Sequence, residues 1–292
     1  MSAIEHEIAS QPDLWPRARA LAAEVADALP AKGQRTLVIG CGTSLYMAQS
    51  FAVSRESAGH GETDAFPASE LPSGRRYDRV IALSRSGTTT EVVRALARIG
   101  DAAPTTAITA VPDSPVARAA GSVVAMPFAD ERSVVQTRFA TSALVLMRGH
   151  VGIECAESAR QAERALVAPL PIDPARFERF AFLGHGWTVG LANEAALKVR
   201  EAARAWSEAY PAMEYRHGPI AVADQRAAVW PVGDIGPDLI SDIERTGATV
   251  VVSPHDPLAA LVLAQRTAVA LANSRNLDPD SPHNLTRSVV LS

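Results

Sequence analysis

The sequence predicts an α/β protein of two tandem halves, each a parallel sheet flanked by helices, and three observations carry that prediction. Short β-rich apolar runs alternate with longer Ala-rich segments whose apolar residues recur at helical spacing. The apolar-Gly-x-Gly turn of "VIGCGTS" (Val38–Ser44) returns in "FLGHGWT" (Phe182–Thr188), with Gly42 and Gly186 separated by 144 residues. Between the two copies, "APLPIDP" sets three prolines in one short stretch. A boundary there divides the chain into residues 1–168, with an N-terminal helix, and residues 169–292, with a C-terminal tail.

In the first half, strands are expected at Thr36–Ile39, Val80–Leu83, Thr105–Thr109 and Ser122–Met126. Helices are expected near Leu45–Ser57, Thr89–Ile99 and Pro115–Ala120, and the long amphipathic stretch Arg138–Val167 leads to the boundary. The second half restarts with a strand at Phe180–Leu183 and a helix from Thr188 to Ala205. Strands at Ala227–Trp230 and Thr249–Val252 follow, alternating with helices at Pro237–Arg245 and Pro257–Ser274.

The chain has 292 residues, 47% of them hydrophobic, which is enough for a sizeable core. Its net charge of -4, without a Lys/Arg block, argues against nucleic acid or an anionic membrane as partner. No stretch has the length and apolarity of a membrane span, and the acidic start does not read as a signal peptide. Cys41 and Cys155 form neither a disulfide framework nor a zinc pattern. A cytoplasmic protein with a small-molecule ligand, without metal or organic cofactor, is therefore expected.

The two hydroxyl-rich corners say what kind of small molecule. In "VIGCGTSLYMAQ" a strand ends at a glycine turn that opens into a helix carrying Thr43 and Ser44 in its first turn. Unpaired amides, the helix dipole and hydroxyl donors make an anion site there, although a capped βα turn explains the same residues. G-x-G-x-x-G is absent because Leu45 occupies the critical position, which weakens a dinucleotide reading. In "LSRSGTTTEVV" the residues Ser84, Ser86, Thr88 and Thr89 crowd a second corner in the same sheet, with no acid before Glu91. Helix capping accounts for one or two of these hydroxyls, and a phosphate accounts for them all.

A helix in the second half carries candidate acid–base chemistry. "GLANEAALKVREAAR" places Glu194, Lys198 and Glu201 at i, i+4 and i+7 on one face. A solvated i,i+4 pair, stabilising by about 0.2–0.5 kcal/mol, is the ordinary explanation. The flanking positions are mostly apolar or alanine, however, and a helix with buried flanks that keeps three charges in line is not explained by a solvated pair.

The segments "CGTS" (41–44), "SRSGTTTE" (84–91), "ALKVREAA" (196–203) and "YRHGP" (215–219) together resemble the sugar isomerase (SIS) family. Within it the chain is similar to the isomerase half of glutamine:fructose-6-phosphate aminotransferases, here without the glutaminase half. The resemblance implies two SIS-type domains of flavodoxin-like three-layer form. It implies phosphate contacts at Thr43, Ser44, Ser84, Arg85, Ser86 and Thr89, with Arg85 standing where the synthases have glutamine. It also implies a sugar-binding crossover in "ERSVVQTRFATS" with a backbone contact at Val134, where Gln136 departs from a small hydroxyl.

By the same resemblance Glu201 is the base that moves a proton between C1 and C2, with Lys198 and Glu194 in support. His217, 16 residues further on beside a Gly-Pro turn, matches the ring-opening histidine that reaches into a neighbouring subunit, which implies a homodimer. His185 receives no role. Arg287, in the tail that covers the sugar, replaces the Schiff-base lysine; a guanidinium stays protonated and is no amine nucleophile. The implied activity is a phosphosugar isomerase or an amino-sugar-phosphate isomerase/deaminase acting on a hexose or hexosamine 6-phosphate. A non-catalytic sugar-phosphate sensor or regulator is the alternative.

Overall fold

The computed structural model describes residues 1–291. In chain order its helices and strands are α1 (Ala3–Ala9), α2 (Gln11–Glu24), β1 (Thr36–Gly40), α3 (Thr43–Ser57), β2 (Thr63–Pro67), β3 (Arg79–Leu83), α4 (Thr90–Ile99), β4 (Thr105–Thr109), α5 (Pro115–Ala119) and β5 (Ser122–Ala125). They continue with α6 (Arg138–His150), α7 (Ala156–Val167), β6 (Arg179–Gly184), α8 (Thr188–Ala203), β7 (Trp206–Pro211), β8 (Ala227–Val232), α9 (Pro237–Glu244), β9 (Thr249–Val250) and α10 (Pro257–Ser274).

Two parallel sheets result, one of five strands in the order β2-β1-β3-β4-β5 and one of four in the order β7-β6-β8-β9. Both orders reverse direction beside their first strand in sequence. In open α/β sheets that switch point leaves a crevice beyond the carboxyl ends of the strands, where ligands bind. In the first sheet it falls between β1 and β3, the strands that end at the two hydroxyl-rich corners.

Period-two alternation divides each strand between two cores. Val38, Ile81 and Ile108 of the first sheet, and Phe180, Phe182 and Trp230 of the second, face one shared central core that also takes α2, α3, α6, α8 and α10. The opposite faces pack separately: Leu37, Ile39, Val80 and Ala107 meet Val92 and Leu96 of α4, while Leu183 and Val229 meet Leu239 and Ile243 of α9. The halves thus share a helical layer, and Gly190 shows how closely it is packed. A Cβ at Gly190 on α8 would lie 2.3 Å from the carbonyl oxygen of Tyr46 on α3. Among the described residues no helix is long and apolar enough to cross a membrane.

The sequence reading missed β2 and β7. Both are edge strands of mixed polarity, "TDAFP" and "WSEAYP", that end in proline, and neither has the apolar run of a central strand. The stretch Arg138–Val167 is two helices, broken where Gly152 takes φ +84° after α6. The expected Thr249–Val252 strand is shortened to the two residues of β9.

Candidate active site

The first corner follows from its glycines. Gly42 adopts φ +54°, a left-handed conformation suited to glycine, and caps α3 with no side-chain hydrogen bond. Gly186 repeats this with φ +56° before α8. The uncapped start of α3 therefore presents the positive end of a 15-residue helix beside the buried hydroxyls of Thr43 and Ser44.

At the second corner Ser84 Oγ accepts from the Gly87 amide at 3.2 Å and lies 3.4 Å from Thr89 Oγ1. Ser86 Oγ accepts from the Thr88 amide at 3.2 Å and from Thr88 Oγ1 at 3.1 Å. These bonds fold the hydroxyls into a tight turn at the end of β3. The C-terminal tail lies across it: Ser288 Oγ lies in hydrogen-bond contact with Thr88 Oγ1 at 2.8 Å, and the Thr90 amide donates to the Val289 carbonyl at 3.1 Å.

The row expected on α8 is present, with Glu194 and Lys198 buried and Glu201 partly so. Lys198, 1% exposed, donates to Glu201 Oε2 at 2.6 Å and lies 3.2 Å from Glu194 Oε1. Its third contact leaves α8: Nζ donates to Thr43 Oγ1 at 3.1 Å, so the ammonium joins the carboxylates of one half to the hydroxyl corner of the other. Burial pushes the Glu194 carboxyl up to about 7, although Lys198 pulls it back down. Neither Glu194 oxygen has a well-directed hydrogen bond among the described residues, and the 3.2 Å approach of Lys198 is poorly aligned. The Lys198 ammonium is pushed the other way by desolvation, yet its two carboxylates hold it above the usual lysine value. Glu201 keeps 18% of its side chain open to solvent, the most accessible carboxylate of the row.

The remaining expected residues fall into two groups. Arg85, Val134 and Arg287 are brought together, but the Arg85 guanidinium is engaged by carbonyl oxygens: Nη1 donates to Ser133 at 2.8 Å, and Nη2 donates to Val134 at 3.2 Å and Arg287 at 3.0 Å. Arg287 donates through Nη2 to Asp130 Oδ1 at 2.5 Å and through Nη1 to the Glu131 carbonyl. His217 stands apart, exposed on the loop after β7, with no side-chain hydrogen bond in its own chain among the described residues. Gln136 lies in the crossover, where its Oε1 is buried without a partner.

Sequence reasoning overlooked the supports of the crossover. Buried Glu131 caps α6, its Oε1 accepting from the Thr137 amide at 2.5 Å, Thr137 Oγ1 at 2.9 Å and the Arg138 amide at 2.8 Å. Burial raises its carboxyl above the usual range against the pull of Arg85. Glu7 of α1, also buried, accepts from the Arg132 amide at 2.5 Å and from the Ser133 hydroxyl. An acid six residues before a helix-starting Thr-Arg pair was the available signal for Glu131; nothing local marks Glu7.

With this geometry in place, comparison with known proteins identifies the fold. Residues 31–147 match the family model described as SIS domain. Residues 31–147 thus carry an SIS domain. It is 29% identical over 316 residues to a glutamine–fructose-6-phosphate aminotransferase (isomerizing) of Neisseria meningitidis serogroup B, covering 87% of this chain and 51% of that protein. The corresponding figures for the Sulfurisphaera tokodaii protein of the same name are 25%, 88% and 50%. The chain thus spans about half the length of the curated relatives it matches.

Among solved structures, glucosamine-6-phosphate deaminase from Thermotoga maritima superposes with a TM-score of 0.84 at 26% identity, covering 99% of this chain and 100% of that one. Tagatose-6-phosphate ketose/aldose isomerase from Escherichia coli shares the fold, with a TM-score of 0.80 at 18% identity over 98% and 97% of the two chains. By sequence the chain is therefore related to these isomerizing aminotransferases and to the deaminase, and it shares the fold of the ketose/aldose isomerase.

Proposed function

We propose that this SIS protein moves a proton between C1 and C2 of a hexose or hexosamine 6-phosphate, as an aldose–ketose isomerase or as an amino-sugar-phosphate deaminase. The observation that carries the proposal is the Lys198 ammonium, buried between Glu194 and Glu201 and bonded to Thr43 at the hydroxyl corner. Burying Glu194 and Lys198 beside a partly buried Glu201 costs several kcal/mol of desolvation, and a sensor that reads only a phosphate has no need of them. An acid–base enzyme does.

In this mechanism the first turn of α3 and the hydroxyls of Ser84, Ser86 and Thr89 hold the phosphate, which does not react. The Val134 carbonyl and the tail around Arg287 meet the sugar. His217 transfers a proton at the ring oxygen to open the sugar. Glu201 removes the proton at C2 and returns it at C1, with Lys198 holding it as the carboxylate and Glu194 supplying the balancing charge. With a hydroxyl at C2 the intermediate is an enediol and the product a ketose. With an amine at C2 it is an enolamine; protonation at C1 gives the ketimine, which water hydrolyses to ketose and ammonia. Arg287 cannot form an imine, so neither route passes through a covalent sugar adduct.

The deaminase route draws support from the whole-chain similarity to the Thermotoga maritima deaminase. A homodimer that lends His217 across its interface is supported by the exposure of that histidine and of Met213 and Val222 on the same surface loops. The test is product analysis by NMR on a panel of hexose and hexosamine 6-phosphates, with ammonia assayed in parallel. Ammonia released in step with fructose 6-phosphate from glucosamine 6-phosphate identifies the deaminase; aldose–ketose conversion without ammonia identifies the isomerase. Binding without turnover of any member establishes the sensor instead.

A further inference from the structure

Arg85 lies between two hydroxyls of the second corner, yet its side chain is 1% exposed and bonds to none of them. Its two terminal nitrogens reach three carbonyls on two distant segments: Ser133 and Val134 in the crossover, and Arg287 in the tail. A planar guanidinium carries donors on two separated terminal nitrogens and so satisfies acceptors on both segments in a fixed fork, where an ammonium or an amide has a single donor atom. The counter-charge is Glu131, whose Oε2 lies 3.7 Å from Arg85 Nη1 while its other oxygen caps α6.

The tail answers in the opposite direction. Arg287 donates to Asp130 Oδ1 at 2.5 Å and to the Glu131 carbonyl, so the two arginines grip the Asp130–Val134 crossover from either side. Beyond Arg287 the tail continues over the hydroxyl corner through the Thr88–Ser288 and Thr90–Val289 bonds, and the Leu291 amide donates to Thr90 Oγ1 at 2.9 Å. Before Arg287, Asp280 accepts from the Ala3 and Ile4 amides at 2.7 Å each and ties the tail to α1.

We infer that Arg85 is a positioning residue rather than a phosphate ligand: with Arg287 and Asp130 it forms a two-arginine clasp that holds the C-terminal tail over the hydroxyl corner and fixes the Val134 carbonyl. The consequence for sugar binding rests on the function proposed above. The clasp itself does not, because every contact in it runs between residues of the chain.

The experiment is hydrogen–deuterium exchange on the full chain without ligand, for wild type, Arg85→Gln, Arg85→Lys and Asp130→Asn, followed by titration with inorganic phosphate and with fructose 6-phosphate. In Arg85→Gln, tail peptides covering 284–291 are expected to exchange at least about tenfold faster, while peptides from Thr36–Gly40 stay unchanged. Arg85→Lys, which keeps the charge and loses the fork, should fall between. Inorganic phosphate affinity should stay within about twofold of wild type while fructose 6-phosphate affinity falls about tenfold or more. Asp130→Asn alters a partly exposed pair and keeps the test available if Arg85→Gln does not fold; it should speed exchange of the tail alone. Unchanged tail exchange in the folded variants overturns the clasp, and so does an equal loss of inorganic phosphate and sugar phosphate in Arg85→Gln, which would make Arg85 a phosphate ligand. If wild type binds no sugar phosphate, the functional proposal fails while the exchange measurements still decide the clasp.

Discussion

The ammonium of Lys198 donates to Thr43 Oγ1 across 3.1 Å, a hydrogen bond from α8 of one half to the first turn of α3 in the other. One buried charge therefore connects the corner proposed to hold phosphate with the carboxylates proposed to move protons. Removing it leaves Glu194 and Glu201 without their counter-ion. Lys198→Ala should destabilise the protein by about 3–5 kcal/mol in urea unfolding at pH 8. Adding Glu194→Gln should recover a good part of that loss, because one of the orphaned charges is gone. Strictly additive effects would mean that the two residues do not share a charge balance.

Glu194 gives stability a pH dependence of definite sign. Burial raises its carboxyl from the usual 4.5 to about 7, so across that window the native state holds a proton that the unfolded state has lost. Stability is greatest below pH 4.5 from this source, falls as pH rises through 7, and is level above it. The loss is at most about 3 kcal/mol. Glu131, also raised by burial, acts with the same sign, and the lowered His60 and His255 act oppositely as pH rises toward 6.5. The wild-type minus Glu194→Gln difference in unfolding free energy, measured from pH 4.5 to 8, cancels those groups to first order. It should fall with pH, and a flat difference would contradict the assignment.

The hydroxyls of the second corner are proposed to hold a group that does not react, so their loss should appear in binding. Ser86→Ala and Thr89→Ala should each raise KM for the sugar phosphate several-fold or more while leaving kcat within about threefold of wild type. Inorganic phosphate should compete with substrate in wild type and compete less well in both variants. Competition of equal strength in folded variants would place the phosphate elsewhere.

Much of this site was legible in the sequence because the chemistry sits on regular structure. A glycine turn after an apolar run marked the first corner, crowded hydroxyls marked the second, and helical spacing put Glu194, Lys198 and Glu201 on one face. The alanine and apolar residues that fill the rest of α8 showed that its flanks are buried. The Thr43–Lys198 bond could not be read, because it spans 155 residues and depends on how the halves pack. The partners of Arg85 were hidden for a related reason: the resemblance implied a phosphate contact there, while the acceptors of its guanidinium lie 48 to 202 residues away. The edge strands β2 and β7 stayed hidden because half-exposed strands lack the continuous apolar run of buried ones.

His217 links chemistry to assembly. If it acts across a two-fold interface, His217→Ala and Glu201→Gln proteins, each nearly inactive, should complement when co-expressed. A mixed dimer then holds one site with both defects and one with neither. Random assortment restores up to about a quarter of wild-type activity. Mixed dimers shown by mass spectrometry to form, with activity no higher than that of the parents, would place His217 within its own chain's site or outside catalysis.

The central claim is that Glu201 carries a proton between C1 and C2, and solvent isotope exchange measures it directly. Wild-type protein incubated in D2O with glucosamine 6-phosphate, and separately with fructose 6-phosphate, should place deuterium at the reacting carbon by NMR. Glu201→Gln keeps the shape of the side chain without its basicity and should slow that exchange by roughly 10²–10⁴-fold while retaining sugar-phosphate affinity. Exchange at the wild-type rate in Glu201→Gln, or none in wild type under conditions where the sugar phosphate is bound, would contradict the account.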